Sequence, residues 1–253
     1  MRTSLLRNSI IISVFLLIFG CSSAPRITKV DTSMVELNAK APDEKEMDAI
    51  VEPYKVKMDS IMNEVLGVSD SALLKGLPES SLGDFVSDAV LKKANEHYHP
   101  ADGIPADICL LNNGGLRNQL PQGKITLGNV YELMPFENMI VVLTISGDKM
   151  KQLFQSLVEF NGAPFAGAVV KGKGKKFTSL KIGGKDLDVK KTYKVVTSDY
   201  LAGGGDKYSF FSSPIKLEDI QYKLRDAIVD EIRDENKKGL KIKSKTDGRI
   251  SYE

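Results

Sequence analysis

Residues 107–117 (DICLLNNGGLR) decide the fold class. The segment from Ile108 to Leu111 is short and apolar, which predicts a buried strand with Cys109 as a small hydrophobic core residue. Gly114 and Gly115 then allow the backbone to turn sharply and approach a ligand, and Arg117 offers a planar guanidinium suited to phosphate or carboxylate. Taken alone, this glycine-rich strand exit is better explained as a structural turn.

Four segments around this strand repeat apolar residues at steps of three and four, the period of an amphipathic helix. Ser81 is the predicted N-cap of the second helix, and Pro53 is expected in the first turn of the regular part of the first. Each helix has one apolar stripe, so each is expected to lie on a sheet. The four predicted helices are Met47–Leu66, Leu82–His97, Asp148–Phe160 and Ile220–Lys237.

Short apolar runs predict the strands, and Gly183-Gly184 predicts a hairpin turn. Lys171–Lys176 is interpreted as a solvated basic loop because it lacks the Gly-Lys-Ser/Thr ending of a phosphate loop. Hairpins mixed with helices indicate a mixed α/β or α+β sheet and not a purely parallel one. The predicted strands are Ile108–Leu111, Ile140–Ile145, Phe177–Ile182 and Tyr193–Ser198.

The N-terminus has the pattern of a bacterial export signal. Arg2 and Arg7 precede an apolar run, Ile10–Phe19, that is shorter than the roughly 20 residues needed to span a bilayer. Gly20-Cys21 follows, which is typical of a lipobox whose cysteine is acylated. An ordinary cleaved signal peptide and a short uncut anchor are the alternatives. We expect residues 1–20 to be a lipoprotein signal peptide, 21–45 a tether with a pairing strand near Ile27–Val30, and 46–253 one domain.

The composition argues against a nucleic-acid partner. The chain has 35 Lys and Arg and 33 Asp and Glu residues, and without Arg2 and Arg7 the two signs balance. Nucleic-acid binders usually show a basic excess. The two cysteines, Cys21 and Cys109, form neither a disulfide framework nor a metal-binding Cys-x-x-Cys pair.

Two further clusters follow predicted elements. In residues 134–138 (MPFEN), Pro135 fixes the backbone, so Phe136 can stack on a base while Asn138 bonds to its edge; burial of Phe136 in the core is the alternative. Residues 199–208 (DYLAGGGDKY) contain three successive glycines, a costly feature that suggests close ligand approach. Tyr200 offers a second stacking face and Asp206 a partner for ribose hydroxyls, whereas a flexible surface loop is the alternative.

The order and spacing of these clusters resemble the C-terminal domain of the bacterial periplasmic 5'-nucleotidase and UDP-sugar hydrolase family. The matching stretch runs from residues 74–83 (LKGLPESSLG) to residues 247–250 (DGRI), most of the expected mature chain. The resemblance implies a four-layer α/β/β/α fold that holds a nucleoside. It implies the following substrate-binding set: Phe136 and Tyr200 around the base, Asn138 and Gly162 at the base, Asp206 at the ribose, Arg117 at the phosphate or the active-site cleft, and Asn113 as a further substrate-binding residue.

Two departures from the family pattern affect function. Tyr200 stands where the family often has Phe, and only Lys75 provides a cation where the family often has arginine before the Glu-Ser-x-Leu-Gly helix start. The family's catalytic domain holds two metal ions through His, Asp and Asn ligands. This sequence contains two histidines, His97 and His99, and no Asp-x-His or Gly-Asn-His/Asp motif. We therefore expect no catalytic residues, metal site or cofactor in this chain, and divalent metals only in a partner subunit.

Three functions remain open. The leading hypothesis is the nucleotide- or nucleoside-binding subunit of a split 5'-nucleotidase, anchored by lipid at the cell envelope beside a separate metallophosphatase subunit. The second is a lipid-anchored nucleoside-binding protein without an enzyme partner. The third is an interaction scaffold whose ligand loops no longer bind; weak hydrolysis by the chain alone is the least favoured.

Overall fold

The architecture was obtained as a computed structural model that describes residues 27–34, 45–208, 211–243 and 245–253. The predicted lipidation site Cys21, the predicted signal peptide and most of the tether lie outside these ranges. The helices are α1 (Lys45–Met62), α2 (Ser81–His97), α3 (Leu127–Leu133), α4 (Gly147–Glu159), α5 (Asp199–Ala202) and α6 (Leu224–Lys237).

The strands form three sheets among the described residues. A five-stranded mixed sheet has the order β10-β4-β9-β2-β5, a four-stranded sheet the order β11-β6-β7-β8, and β1 pairs with β3 alone. The strands are β1 (Val65–Ser69), β2 (Ile108–Leu110), β3 (Gly123–Thr126), β4 (Met139–Ser146), β5 (Phe165–Ala166), β6 (Ala168–Lys173), β7 (Lys176–Ile182), β8 (Lys185–Asp186), β9 (Thr192–Ser198), β10 (Lys216–Lys223) and β11 (Ile250–Tyr252).

The five-stranded sheet separates two hydrophobic cores because its strands alternate side chains between faces. In β4, Val142 packs into one core and Leu143 into the other. The first core also takes the apolar faces of α2 and α6, and the second takes α4 and strands β6 and β7. Helices and sheets thus lie on both sides of the central sheet. This is the mixed α/β architecture that the sequence predicts.

Helix α1 differs from its prediction. It begins at Lys45, continues through Pro53 and ends at Met62, so Pro53 is not in its first turn. No residue of α1 is buried, and its apolar stripe, including Ile50 and Tyr54, is exposed instead of lying on a sheet. The period identified the helix correctly, but an apolar stripe does not determine what covers it. No helix in the described ranges is long and apolar enough to cross a membrane.

The last helix begins later than predicted. Residues 216–223 form β10, which pairs antiparallel with β4, and α6 starts at Leu224. Ile220, Leu224 and Ile228 are spaced by four residues, so the helical period extends by coincidence into the strand. Tertiary pairing with β4 decides the boundary.

Three local predictions also change. Ser80, not Ser81, caps α2, because its hydroxyl accepts a hydrogen bond from the backbone N–H of Gly83 at 3.1 Å. Lys171 lies in β6, so the basic segment 171–176 is mostly a hairpin of two strands and not a loop. Residues 27–30 form no strand and are exposed. Residues 49–253 form one compact unit.

Candidate functional site

The sheet topology brings the predicted ligand segments to one edge. Strands β2 and β9 run parallel, with Ile108 opposite Val195, so their C-terminal ends lie side by side. Strand β4 is antiparallel to β9, with Ile140 opposite Ser198, which places the start of β4 at the same edge. The loops after β2 and β9 and the segment before β4 therefore meet, although they are separated widely in sequence.

These segments enclose a cavity of about 360 Å³. Five of the seven predicted substrate-binding residues line it, and they come from all three segments. The lining residues are Asn112, Gly114, Gly115, Arg117, Phe136, Asn138, Tyr200 and Asp206.

Phe136 lies at the rim of this cavity and not in the core. Its exposed fraction is 38%, against 0% for Phe154 in the second core, so the ring is available to a ligand. The guanidinium carbon of Arg117 is 5.5 Å from the Phe136 ring centroid, within cation–π range. Arg117 is oriented by two bonds: its backbone N–H donates to the Leu133 carbonyl at 2.8 Å and its Nη1 to the Gly114 carbonyl at 3.3 Å.

Tyr200 lies on the backbone of the triple-glycine loop. A Cβ atom at Gly205 would come within 2.5 Å of the Tyr200 ring carbons, so only glycine permits this packing. The ring is 46% exposed. Its hydroxyl donates to Oδ1 of Asp206 at 2.8 Å, and this bond raises the pKa of Tyr200 above its ordinary value because the neighbouring carboxylate favours the protonated phenol.

Asp206 is held in a left-handed backbone conformation with φ of 51°. Both of its carboxylate oxygens have a partner, since Asn112 Nδ2 donates to Oδ2 at 2.5 Å and the Tyr200 hydroxyl donates to Oδ1. An ionised carboxylate has about four acceptor positions, so about two remain for hydroxyl groups of a ligand. The site therefore combines a fixed acceptor with two rings and a guanidinium.

Asn112 lines the cavity, although the sequence reasoning did not predict it. Its neighbour Asn113 was predicted instead, but Asn113 is not among the residues lining the cavity, and no donor in the described part of the chain reaches its buried Oδ1. The signal in the sequence was that Asn112 is the first polar residue after β2, two positions beyond the end of the strand at Leu110.

Gly162 lies in a neighbouring cavity of about 240 Å³ that shares Asp206 with the first. Its φ is +96°, and a Cβ atom there would come within 2.1 Å of the Pro78 carbonyl oxygen. The close contact with Pro78 is therefore sufficient to explain why position 162 is a glycine. Its predicted contact with a base stays a prediction.

The comparisons with known proteins agree with this geometry. A family profile described as "5'-nucleotidase, C-terminal domain" matches residues 65–213. The chain belongs to this family. The match includes β2, β4 and β9 and all the segments that line the cavity, and it confirms the resemblance on which the site prediction was based.

The relatives of this 5'-nucleotidase C-terminal domain are much longer than the chain. It is 30% identical over 245 residues to the trifunctional nucleotide phosphoesterase protein YfkN of Bacillus subtilis, covering 88% of this chain and 16% of that protein. It is 25% identical over 238 residues to the cell wall protein Lmo0130 of Listeria monocytogenes, covering 82% of this chain and 29% of that protein. The chain thus spans less than a third of either relative.

A solved structure shares the fold of the domain. The 5'-nucleotidase precursor from Thermus thermophilus superposes with a TM-score of 0.68 at 23% sequence identity, covering 84% of this chain and 44% of that one. The likeness confirms the mixed α/β, four-layer fold class that the family resemblance implies.

A cluster of carboxylates lies outside this cavity. Within the described residues, Glu79, Asp84 and Asp247 bring carboxylate oxygens within 4.8 Å of one another, a grouping that could hold a cation. Arg249 competes for this place, because its guanidinium bonds to both oxygens of Asp247 and lies 3.4 Å from Asp84. Its positive charge disfavours a metal ion there. His97 stacks on the ring of Tyr222 at 4.1 Å.

Proposed function

We propose that this chain binds the nucleoside part of a nucleotide in the 360 Å³ cavity. One observation carries the proposal: Phe136, Asn138, Arg117, Tyr200 and Asp206 line a single cavity although three segments distant in sequence supply them. A chance meeting of surface loops is not expected to combine two exposed rings, an amide, a carboxylate and a guanidinium. Each of these groups matches one part of a nucleotide.

The proposed roles follow from the chemistry of each group. Phe136 and Tyr200 stack on the two faces of the base, which contributes about 1 to 3 kcal/mol per ring. Asn138 bonds to the base edge, and Asp206 accepts hydrogen bonds from the ribose hydroxyls at its remaining acceptor positions. Arg117, whose N–H donors form a rigid fork, contacts the phosphate.

The proposed context is a split 5'-nucleotidase. Hydrolysis of a phosphomonoester in the family needs a two-metal centre, and the two histidines of this sequence are too few for the ligands of such a centre. A separate metallophosphatase subunit then supplies the metals and the chemistry, and this chain supplies substrate affinity. The names of the relatives YfkN and the Thermus 5'-nucleotidase precursor support nucleotide esters as the substrate class.

The proposed location is the cell envelope, with a lipid on Cys21. The lipobox pattern around Cys21 supports the lipid anchor. The similarity to the cell wall protein Lmo0130 supports a location at the cell envelope. Metabolic labelling with a radioactive fatty acid tests the anchor: label is expected on the wild type and not on Cys21→Ala. Label retained on Cys21→Ala would overturn the anchor but not the nucleotide-binding proposal.

Calorimetric titration of the detergent-solubilised full chain tests the binding proposal. AMP and adenosine are expected to bind, and Phe136→Ala is expected to weaken both at least about fivefold, the lower end of the stacking contribution. Tyr54→Ala is the matched control, because Tyr54 is 75% exposed on α1 and lies outside the lining of this cavity. Absence of binding to the wild type at millimolar ligand would refute the proposal and favour the scaffold hypothesis.

Purification from native membranes tests the partner. A metallophosphatase is expected to copurify, and nucleotidase activity is expected only when it is present. Ligand binding without a copurifying hydrolase would favour a nucleoside-binding protein that acts alone. EDTA-sensitive hydrolysis by the purified chain would contradict the assignment of catalysis to a partner.

A further inference from the structure

Arg225, the second residue of α6, is buried although it carries a full charge. Its exposed fraction is 3%, and its guanidinium points at the segment between α3 and β4. Nη1 donates to the carbonyl oxygens of Met134 and Phe136, each at 3.4 Å, and Nη2 forms an ion pair with the carboxylate of Glu137. One side chain therefore bonds to three parts of the segment that presents Phe136.

Neighbouring groups fix Arg225 and complete this attachment. The guanidinium carbon lies 4.0 Å from the ring centroid of Tyr131, a close cation–π contact. The backbone N–H of Leu224 donates to the carbonyl of Asn138 at 3.0 Å. Lys223 also pairs with Glu137, and the hydrogen bonds from Lys223 and Arg225 lower the pKa of Glu137 to about 2. The ion pairs of Glu137 with Lys223 and Arg225 therefore persist at any pH near neutrality.

Residues 134–138 have no helix or strand of their own to fix them. Their conformation depends on bonds from other elements, and the junction of β10 and α6 supplies those from Lys223, Leu224 and Arg225. A planar guanidinium presents its N–H donors as a rigid fork, so its bonds to two carbonyls and a carboxylate fix one orientation, whereas an ammonium on a flexible stem is a point charge that fixes no plane. The position of the Phe136 ring is thereby coupled to a residue that does not line the cavity.

We infer that Arg225 is a positioning residue that holds the segment around Phe136 at the geometry needed to bind a base. The inference deepens the proposed function and rests on it. It assigns base recognition, and not phosphate or ribose recognition, to the contact between α6 and residues 134–138.

The comparison of two ligands separates positioning from a general structural role. AMP uses the base side and the ribose–phosphate side of the cavity, whereas ribose 5-phosphate lacks a base. In Arg225→Met, affinity for AMP is expected to fall about tenfold, within the range for loss of one stacked ring. Affinity for ribose 5-phosphate is expected to change less than about twofold, because the bonds that orient Asp206 and Arg117 come from other residues. Arg225→Lys keeps a positive charge beside Glu137, so it should recover part of the lost AMP affinity.

Arg233→Met is the matched control. Arg233 lies on the same helix with a side chain 38% exposed and pairs with Glu64, away from the cavity. Its substitution is expected to leave both affinities unchanged. Glu137→Gln is a second variant at an exposed position, which keeps the test valid if Arg225→Met does not fold; a smaller loss of AMP affinity of about threefold is expected, since one of the Arg225 bonds is weakened.

A measurement without ligand tests the positioning of the Phe136 ring separately from ligand binding. With 4-fluorophenylalanine at position 136, the wild type should give one narrow ¹⁹F resonance and Arg225→Met a broadened or divided one. An unchanged resonance, or equal losses of AMP and ribose 5-phosphate affinity, would overturn the role of Arg225. A wild type that binds no AMP would refute the proposed function alone, and the ¹⁹F spectra would still decide whether Arg225 positions the ring.

Discussion

Substitution of Tyr200 separates the two roles that its ring and its hydroxyl have in the structure. The ring lies on Gly205 at the cavity, and the hydroxyl donates to Asp206 at 2.8 Å while accepting from the Asp206 backbone N–H at 3.2 Å. Tyr200→Phe removes only the hydroxyl. Tyr200→Ala removes both the hydroxyl and the stacking face.

The two losses should differ in size. The hydroxyl and its carboxylate partner are exposed, so water replaces much of what their hydrogen bond contributes. Asn112 continues to hold Asp206 at 2.5 Å. Adenosine affinity should therefore fall only about two- to fivefold in Tyr200→Phe, as for loss of one solvent-exposed bond. The loss in Tyr200→Ala should be larger by about five- to a hundredfold, the equivalent of one stacking contribution.

Isothermal titration of the full chain with adenosine measures these losses. Tyr54→Ala again serves as the control, because this exposed ring on α1 lies outside the cavity lining. Equal losses in Tyr200→Phe and Tyr200→Ala would refute the reasoning, since the hydroxyl and not the ring would then dominate. Wild-type affinity in Tyr200→Ala would show that Tyr200 does not contribute to adenosine binding.

Three further predictions concern other parts of the domain. Burial raises the pKa of Asp84 to about 8, so between about pH 4 and pH 8 the folded protein holds a proton that the unfolded chain has released. The free energy of unfolding should fall as pH rises through this window, by at most about 1.4 kcal/mol per pH unit, and urea denaturation of Asp84→Asn should show a shallower slope. Asn112→Ala should lower adenosine affinity about threefold by releasing one oxygen of the ribose acceptor, whereas Asn113→Ala should leave it within experimental error in the same titration. Gly162→Ala should lower the free energy of unfolding by about 2 kcal/mol or more, measured by urea denaturation, because its Cβ meets the Pro78 carbonyl at a positive φ.

Each of these has an outcome that contradicts it. An equal pH slope in Asp84→Asn and the wild type would show that other groups release the protons. A larger loss of affinity in Asn113→Ala than in Asn112→Ala would contradict the role of Asn112 and support the sequence-based prediction of Asn113. Wild-type stability in Gly162→Ala would show that the backbone at Pro78 moves freely.

The sequence predicted the central strands and the amphipathic helices because their patterns are local. Ile108–Leu110, for example, is apolar on both faces and lies between two cores, as its composition indicates. The boundary between β10 and α6 could not be predicted in this way. It depends on pairing with β4, a strand far away in sequence.

The site prediction shows a similar limit. Phe136, Tyr200 and Asp206 stand out because proline and glycine mark unusual backbone nearby, and the family order then suggests that they meet. The choice between Asn112 and Asn113 depends on the direction in which each side chain leaves β2, and the sequence of two adjacent asparagines does not contain that information. Nothing in the sequence singles out Arg225, because an arginine on a helix gives no local sign of being buried.

The most direct measurement is intermolecular NOE spectroscopy between adenosine and the full chain. The account predicts contacts from the purine protons to the ring protons of both Phe136 and Tyr200, together with contacts from the ribose to the loop of Asp206. Bound adenosine whose purine protons contact neither ring, or only one of the two, would contradict the claim that two aromatic side chains hold the base.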